Sequence, residues 1–464
     1  MSGTIGSTNA GPRMDRLPMS RWHTKLVLLI GAGLFIDAFE LYSGGGVLAA
    51  LVQSHWSTLK FNATFISVTL AGLVCGAWFA GILGDRFGRR FCYQTNLALF
   101  GAASIAGAFA PNMDVLIVCR FFMGLGLGAE IVVGYGTLAE FLPMTSRGKV
   151  MTLIAMLVNF SFFVSLVTAY FVIPALGWRA MFLIPGFAAI GVWFARKSMP
   201  ESPRWLESKG RIEECEALLA QIEQQASGGR PLPPFTPANA HMLQTPIRVL
   251  FSPGVLRNTL VGILVNVTIN FSLYGFLQWL PTAFVRQGMT LSSALEISMI
   301  LALGQTTGAL CGALLTDRIG RKGCIVGFSA VGAVLCAGLL YTHGAVFVVS
   351  AFVLAISLGL ANTIAFTVYV PELFETRFRL RGAGLCGACG RLSSAGMQYV
   401  IPAVLAAGGL TGITIMLSGS MLIQAVVVGV FGIETRRKPL DNPEVSALVP
   451  EPPEAMIYKA AQHG

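Results

Sequence analysis

Apolar segments of roughly 20 residues, the length that spans a bilayer as a helix, recur from Leu26 to Gly432 between short polar loops. Charged residues make up only 12% of the chain, against about 25% in a soluble domain. The chain therefore has too few charged residues to cover the water-facing surface of a soluble protein. The pattern predicts an all-α polytopic membrane protein with twelve transmembrane helices. The predicted spans are 26–52, 63–83, 93–110, 115–138, 150–173, 180–196, 259–285, 291–315, 324–341, 345–368, 382–405 and 409–432.

The net charge of +10 is distributed in a way that indicates orientation in the membrane. If the amino terminus is cytoplasmic, most of the 32 Lys and Arg residues fall in inside loops and tails, as the positive-inside rule requires. Residues 1–25 lack the short apolar core of a signal peptide, so the first helix serves as its own insertion signal. We expect an integral protein of a bacterial inner membrane with both termini cytoplasmic. Its surroundings are the lipid bilayer, and no nucleic acid is expected to bind.

Two loops repeat at a fixed distance along the chain. The loop after the second helix reads GDRFGRR from Gly84, and the loop after the eighth reads TDRIGRK from Thr316. A Glu and an Arg after the fourth and tenth helices keep the same offset of 232 residues. This indicates a duplicated six-helix unit arranged as a parallel repeat. The repeated residues are Asp85, Arg89, Glu140 and Arg147 in one half, and Asp317, Arg321, Glu372 and Arg379 in the other.

The predicted organisation has five parts. The segment between the halves begins with PESPRWL at Pro200 and continues into an amphipathic stretch near 207–225, which we interpret as a tether with a surface helix. The parts are a cytoplasmic tail (1–25), a six-helix bundle (26–196), a cytoplasmic linker (197–258), a second six-helix bundle (259–432) and a second cytoplasmic tail (433–464).

These motifs together resemble the major facilitator superfamily. The two repeated loops look like that family's signatures, and Arg120 with the glycines that follow it looks like its fourth-helix pattern. PESPRWL and Glu434-Thr435 resemble the sugar-porter branch. The segments from Tyr274 to Phe276 and from Trp279 to Pro281, with Gly390-Arg391, resemble the aromatic-acid:proton symporter branch. The sequence supports both branches.

The glycines at 124, 126 and 128 could be mistaken for a nucleotide-binding loop. They follow no strand and lie within an apolar helix, so they predict close packing of helices instead.

Ionisable residues inside the membrane are costly, so each is a functional candidate. Asp37 and Glu40 lie one turn apart on the first helix, and Arg120 lies at similar depth on the fourth. We predict that Asp37 and Arg120 form a switchable pair that couples transport to protons; the alternative is a static salt bridge. Glu40 is either a second titrating group or a residue of the outer vestibule. The resemblance to the aromatic-acid:proton symporter branch makes protons an expected partner.

A cytoplasmic gate is predicted from the charges that repeat in both halves. Carboxylates beside helix ends and Arg side chains on a shared face are predicted to hold the two halves together when the cavity faces outward; the alternative is that these charges only set topology. Glu130, near the cytoplasmic end of the fourth helix, is assigned to the same gate. The predicted gate comprises Asp85, Arg89, Glu130, Glu140, Arg147, Asp317, Arg321, Glu372, Arg379 and Arg381.

Arg391 stands near mid-depth in the eleventh helix, where the second half offers no acid at its level. An unpaired buried cation requires an anion, so we predict that Arg391 binds a substrate carboxylate; the alternative is that it bonds carbonyl oxygens or another acid. The remaining predicted substrate-binding residues are Asn159, Asn270, Tyr274, Gln278, Gln305 and Asn362.

The predicted function is proton-coupled uptake of a small organic acid, with aromatic acids among the candidates, by alternating access. The alternatives are a sugar or polyol symporter and a nutrient receptor that transports nothing. No loop holds a nucleophile–base or metal constellation, so we expect no enzymatic activity, metal or cofactor. The functional unit is expected to be a monomer.

Overall fold

The computed structural model describes residues 8–227, 231–234, 247–342, 344–374 and 378–436. These residues are helical almost throughout, and no strand occurs among them. The chain divides into two compact units, Met1–Asn239 and Ala240–Gly464. The division falls inside the segment predicted to link the two bundles.

The first unit contains six long helices and three further helices outside them. Its helices are α1 (Ala10–Asp15), α2 (Arg21–Gln53), α3 (Leu59–Phe87), α4 (Arg89–Ala108), α5 (Met113–Phe141), α6 (Met144–Leu176), α7 (Ala180–Arg196), α8 (Pro203–Ser208) and α9 (Ile212–Ser227).

The second unit interrupts two of its helices with π-helical turns, Phe271–Leu277 and Ala365–Tyr369. Such turns are rare and often occur at functional sites. Its α-helices are α10 (Pro253–Asn270), α11 (Leu280–Arg286), α12 (Leu291–Ile319), α13 (Arg321–Gly338), α14 (Gly344–Ile364), α15 (Val370–Glu372) and α16 (Arg379–Phe431). Short 3₁₀ turns cover Ile247–Phe251 and Leu339–Tyr341.

Twelve spans result from these helices. Among the described residues, nine helices are long and apolar enough to cross a membrane. The last of them is interrupted at Gly409, whose φ of 57° and ψ of −146° are not helical, so its two arms provide two spans. The 17-residue α7 and the 20-residue α4, whose first turn is polar, complete the set. The predicted all-α fold is confirmed.

Polar caps fix where several of these helices begin. The Thr58 hydroxyl accepts a hydrogen bond from the Phe61 amide at the start of α3, and Asn112 Oδ1 accepts one from the Val115 amide at the start of α5. Thr290 performs the same role for α12. Each cap satisfies an amide that the first helical turn leaves without a carbonyl partner.

Glycines bring α3 and α5 close together. A Cβ atom at Gly124 or Gly128 of α5 would overlap the carbonyl oxygen of Thr69 or Leu73 in α3. A Cβ atom at Gly126 would lie 2.9 Å from the Cβ atom of Phe100 in α4. Small residues allow helix backbones to approach closely in a membrane. The glycine run therefore packs helices, as predicted.

The amino-terminal tail is bound to the linker by ion pairs. Arg13 of α1 donates two hydrogen bonds to Glu223 of α9, at 3.0 and 2.9 Å, and a third to Glu216 at 2.6 Å. Arg16 donates to the same Glu223 at 2.8 Å. The α9 helix buries Cys215 on its inner face. The tail and the linker thus form one folded element of the first unit.

Hydrogen bonding to Arg13 lowers the pKa of Glu223 below its ordinary value of 4.5. A lowered pKa means that Glu223 stabilises the folded state at neutral pH and that this contribution is lost as the pH falls through the lowered pKa.

Glu223→Gln should release α1 from the linker. Hydrogen exchange at neutral pH is expected to be about tenfold faster for residues 10–16, since a hydrogen bond to a charged group contributes about 1.5–3 kcal/mol. The matched control is Glu213→Gln, an exposed position on the same helix. Equal exchange in both variants would show that the ion pairs do not hold the tail.

Candidate functional site

Every buried Asp, Glu, Lys or Arg side chain among the described residues belongs to the first unit. Three are carboxyl groups and two are guanidinium groups, and each of the five residues is 0–3% exposed. They come from α2, α5 and α7. The five residues are Asp37, Glu40, Arg120, Glu130 and Arg196.

One face of α2 carries the acids. Gly33, Asp37 and Glu40 are spaced by four and three residues, which places them on the same side of a helix. At 1.5 Å per residue, this face extends about 10 Å along the helix axis from Gly33 to Glu40. The two neighbouring helices supply cations at its two ends.

Glu40 and Arg120 form the first ion pair. Arg120 Nη1 donates to Glu40 Oε1 at 2.8 Å, and Nη2 donates to the Glu40 carbonyl oxygen at 3.4 Å. The guanidinium carbon lies 4.4 Å from the centre of the Phe65 ring. The predicted Asp37–Arg120 pair is therefore corrected, because the Arg120 side chain reaches the acid one turn further along α2.

Glu130 and Arg196 form a second buried ion pair, which the sequence did not reveal. Arg196 Nη1 lies 2.6 Å from Glu130 Oε1. Arg196 also donates to the carbonyl oxygens of Leu29 at 3.0 Å and Ile30 at 3.1 Å. Arg196 is the last residue of its predicted span, a position where a charge is usually solvated. An acid such as Glu130 within an apolar helix was the one signal that a cation must lie nearby.

Gly33 makes room for the second pair. A Cβ atom at this position would overlap Arg196 Nη2 and would lie 2.9 Å from Glu130 Oε1. The side chains of α5 and α7 can therefore rest directly against the α2 backbone. The contacts of Glu130 are those of an internal pair, while its assignment to the gate stays a prediction.

Asp37 is the carboxyl group without a cation of its own. Within the described part of the chain it forms no ion pair, and its Oδ2 atom has no hydrogen-bond partner. The charges of Glu130, Arg196 and Glu40 act on it. With all five groups ionised the cluster carries one negative charge, and binding one proton would make it neutral. The arrangement can therefore hold a proton.

The predicted gate residues pair within each unit. In the first unit, Arg89 donates to Glu140 at 2.9 Å and to the exposed Asp85 at 3.0 Å. In the second unit, Arg321 donates to Glu372 at 3.2 Å. The side chain of Asp317 lies outside the described residues. The repeat predicted from sequence thus recurs as repeated contacts, and the gating role stays a prediction.

A carboxylate that the sequence analysis did not assign caps α4. Glu201, from PESPRWL, accepts hydrogen bonds from the backbone amides of Arg89 at 2.8 Å and Arg90 at 3.2 Å. Gly88, with φ of 97°, turns the chain from α3 into α4 and has no Cβ atom to block the carboxylate. A carboxylate is favoured at the amino end of a helix.

The second unit repeats this cap. Glu434 accepts from the backbone amides of Arg321 and Lys322, both at 3.1 Å, beside Gly320 with φ of 101°. The sequence motifs had suggested only a family branch for Glu201 and Glu434. The missed signal was their similar spacing from the two repeated loops.

The remaining gate candidates make other contacts. Arg147 pairs with Asp15 of α1 and donates to the Leu142 carbonyl oxygen at 2.9 Å. Arg379 makes the equivalent bond to a carbonyl oxygen, that of Phe374, at 3.3 Å. Arg381 is exposed. In the first unit, this Arg thus also has a carboxylate partner from the tail helix α1.

Some of the predicted substrate residues of the second unit lie at the first π-helical turn, which contains Tyr274. A Cβ atom at Gly390, the residue before Arg391 in α16, would lie 2.7 Å from Asn270 Nδ2. Gln398, on the same helix as Arg391, donates to the Tyr274 carbonyl oxygen at 3.2 Å and accepts from Trp279 Nε1 at 2.7 Å. Asn270 lies one turn before Tyr274. The part of α16 that carries Arg391 thus packs against Asn270 and Tyr274.

Other predicted substrate residues lie on separate elements. Asn159 belongs to α6 of the first unit, where its side-chain amide donates to the Ala155 carbonyl oxygen at 2.9 Å. Gln278 follows the π-helical turn, Gln305 lies in α12 and Asn362 in α14. Gln278 and Asn362 are buried, and Gln305 is half-buried.

The stability of two variants should distinguish Glu40, which has a cationic partner, from Asp37, which has none of its own. Glu40→Gln leaves Arg120 buried without a carboxylate and is expected to cost about 3–5 kcal/mol. Asp37→Asn removes a charge that has no cation of its own, so stability should be unchanged or higher. Thermal unfolding in one detergent compares the two variants. A loss for Asp37→Asn as large as that for Glu40→Gln would contradict the assignment of Asp37 as the odd carboxyl.

Comparison with known proteins gives consistent matches along most of the chain. Residues 46–446 match the sugar (and other) transporter family. The chain is 35% identical over 443 residues to the inner membrane metabolite transport protein YdjE of Escherichia coli, covering 93% of this chain and 97% of that protein. It is 33% identical over 437 residues to the niacin transporter NiaP of Acinetobacter baylyi, covering 93% and 98%. Identity to the 4-hydroxybenzoate transporter PcaK of Acinetobacter baylyi is 27% over 329 residues, covering 69% and 71%.

A solved structure shares the fold. The Escherichia coli xylose transporter XylE, in a partially occluded inward-open conformation, matches with a TM-score of 0.73 at 19% identity, over 90% of this chain and 100% of that chain. At this identity the likeness shows the fold alone. With the family match and the relatives above, it establishes that the chain belongs to the sugar (and other) transporter family of the major facilitator superfamily, whose members are membrane transporters and not enzymes.

Proposed function

We propose that the protein takes up a small organic acid together with protons, by alternating access. The observation that carries this proposal is the buried cluster of three carboxyl groups and two guanidinium groups in the first unit. A cluster with one carboxyl too many can exist in an ionised and a neutral form, and proton coupling requires two such forms. Asp37 is the group proposed to carry the proton.

Arg391 is the proposed partner of the substrate's carboxylate. It is half-buried in the part of α16 that packs against Asn270 and against Tyr274 of the π-helical turn. A guanidinium group binds a carboxylate through two parallel hydrogen bonds, and a neighbouring aromatic ring can stack on a planar substrate. This pairing of a cation with a ring favours an aromatic or heteroaromatic acid.

The names of the relatives support the same class of substrate. One is a niacin transporter, another a 4-hydroxybenzoate transporter and a third a gallate transporter. All three compounds combine a planar six-membered ring with a carboxyl group. We infer that the substrate of this protein has the same combination.

Placement in the bacterial inner membrane with both termini cytoplasmic completes the proposal. It rests on the bias of Lys and Arg toward one set of loops, and on bacterial relatives such as the inner membrane metabolite transport protein. A single chain provides both units, so a monomer is the proposed functional form.

A sugar or polyol symporter is the second candidate. The description of the matched family and the PESPRWL motif favour it. Uptake into proteoliposomes separates the candidates when nicotinate, 4-hydroxybenzoate, xylose and inositol are compared with and without an imposed pH gradient. Accumulation of the two acids alone is expected. Accumulation of xylose or inositol would favour the second candidate, and binding without uptake would favour a receptor.

Asp37→Asn should uncouple transport from the proton gradient. Nicotinate accumulation driven by an acidic exterior is expected to fall to the level seen without a gradient, because an amide cannot carry the proton. Exchange of external for internal nicotinate, which needs no net proton movement, should remain. The matched control is Glu296→Gln, an exposed acid of α12. Gradient-driven accumulation by Asp37→Asn equal to wild type would refute the proposed role of Asp37.

Arg391→Ala should weaken substrate binding. Loss of a charge-assisted contact of about 1.5–3 kcal/mol is expected to raise the KM for nicotinate roughly 10- to 100-fold. Arg286→Ala, which removes an exposed Arg of the same unit, serves as the control. An unchanged KM in a folded Arg391→Ala protein would exclude Arg391 from the substrate site.

A further inference from the structure

The Glu130–Arg196 pair lies on the far side of Asp37 from the Glu40–Arg120 pair. Ten residues separate Arg120 from Glu130 on α5, which corresponds to about 15 Å along the helix axis. On α2, Asp37 lies between the contacts of the two pairs, since Glu40 follows it and Gly33 precedes it. In the proposed orientation, Glu130 is on the cytoplasmic side.

The geometry points to Glu130 as the acid that receives the proton from Asp37 and releases it to the cytoplasm, with Arg196 as the cation that exchanges between these two carboxylates. This inference rests on the proposed function, because it extends the path of a proton that Asp37 already carries. It gives the Glu130–Arg196 pair, called the inner pair below, a role that the predicted cytoplasmic gate does not include.

Arg196 is built to exchange partners. Its Nε and Nη2 atoms are held by the carbonyl oxygens of Leu29 and Ile30, so the guanidinium group is fixed to α2 independently of any carboxylate. Its Nη1 atom remains to face an acid and now lies 2.6 Å from Glu130. Because Gly33 has no Cβ atom, Arg196 and Glu130 lie directly against the α2 backbone, one helical turn before Asp37.

The proposed transfer conserves charge at every step. The protonated Asp37 carboxyl gives its proton, directly or through one water, to the Glu130 carboxylate. Arg196 then pairs with the Asp37 carboxylate while Glu130 is neutral. Glu130 releases the proton to cytoplasmic water and regains Arg196. One carboxyl is neutral until the final release, so the buried cluster carries no net charge during the transfer.

The groups around Glu130 offer no second acid for this role in the described part of the first unit. On α2 the nearby ionisable group is Asp37, and on α7 it is Arg196. From α4, the Tyr93 ring lies 5.9 Å from the Arg196 guanidinium carbon. The Tyr93 hydroxyl already donates to the Met199 carbonyl oxygen at 3.2 Å. On the inner side of Asp37, therefore, the carboxyl that can take its proton is Glu130.

The decisive variant replaces both partners of the inner pair. Glu130→Gln alone would leave Arg196 buried and unpaired, which can prevent folding. The double variant Glu130→Gln/Arg196→Met removes both charges with side chains of similar length. Nicotinate exchange by the double variant in proteoliposomes should stay near the wild-type rate. Accumulation driven by an acidic exterior should fall at least about tenfold, which is equivalent to 1.4 kcal/mol of driving force.

Two outcomes separate the inference from the proposal on which it depends. Wild-type accumulation by the double variant, with accumulation lost in Asp37→Asn, would overturn the role of Glu130 and leave the proposed function intact. It would mean that Glu130–Arg196 only stabilises the fold. Accumulation by Asp37→Asn would overturn both. Gly33→Ala provides an independent check. A Cβ atom there would overlap Arg196 Nη2 and displace it, so the variant should impair accumulation more than exchange.

Discussion

The burial of three acids with two cations between α2, α5 and α7 is the constraint on which the first unit depends. Removing an ion from water costs several kcal/mol unless a partner of opposite charge compensates. The helices are packed to supply those partners. Arg120 lies against Glu40, and Arg196 fits over Gly33 to reach Glu130. Because the acids outnumber the cations, the same packing that stabilises two ion pairs leaves Asp37 able to change its charge.

The two units share their structural chemistry but not their buried charge. Gly88 and Gly320 turn between equivalent helices, and Glu201 and Glu434 cap the helices that follow. No described residue of the second unit adds a buried Asp, Glu, Lys or Arg side chain. Its distinctive features are the π-helical turns and the hydrogen bond from Gln398 of α16 to the Tyr274 carbonyl oxygen in the first of these turns. Under the proposed function, the first unit handles the proton and the second binds the anion.

The helices and the repeat were predictable from sequence because they depend on local patterns. Spans of apolar residues and an offset of 232 residues need no knowledge of packing. The pairing of buried charges does depend on packing. Asp37 and Glu40 share a face of α2, and only the rotation and tilt of α5 decide which of them meets Arg120. For the same reason, Arg196 could not be identified from sequence as the partner of Glu130.

Tertiary contacts also explain the other differences between prediction and structure. Arg196 is the last residue of its helix, where a charge is usually solvated, but its guanidinium group is buried and donates to carbonyl oxygens of α2. The tail was expected to be a simple cytoplasmic extension, whereas Arg13 binds Glu223 from a helix more than 200 residues away. Neither contact leaves a periodic signal in the chain. Long-range ion pairs of this kind are seen only when the helices are assembled.

The central claim is that substrate and proton enter together, and measuring both in one experiment tests it most directly. Wild-type protein can be reconstituted into weakly buffered liposomes that contain a pH-sensitive dye, with nicotinate added outside and no gradient imposed. The account predicts that the lumen acidifies as nicotinate enters, faster than in protein-free liposomes and in proportion to the nicotinate taken up. Protein-dependent entry of nicotinate with no change in luminal pH would contradict it.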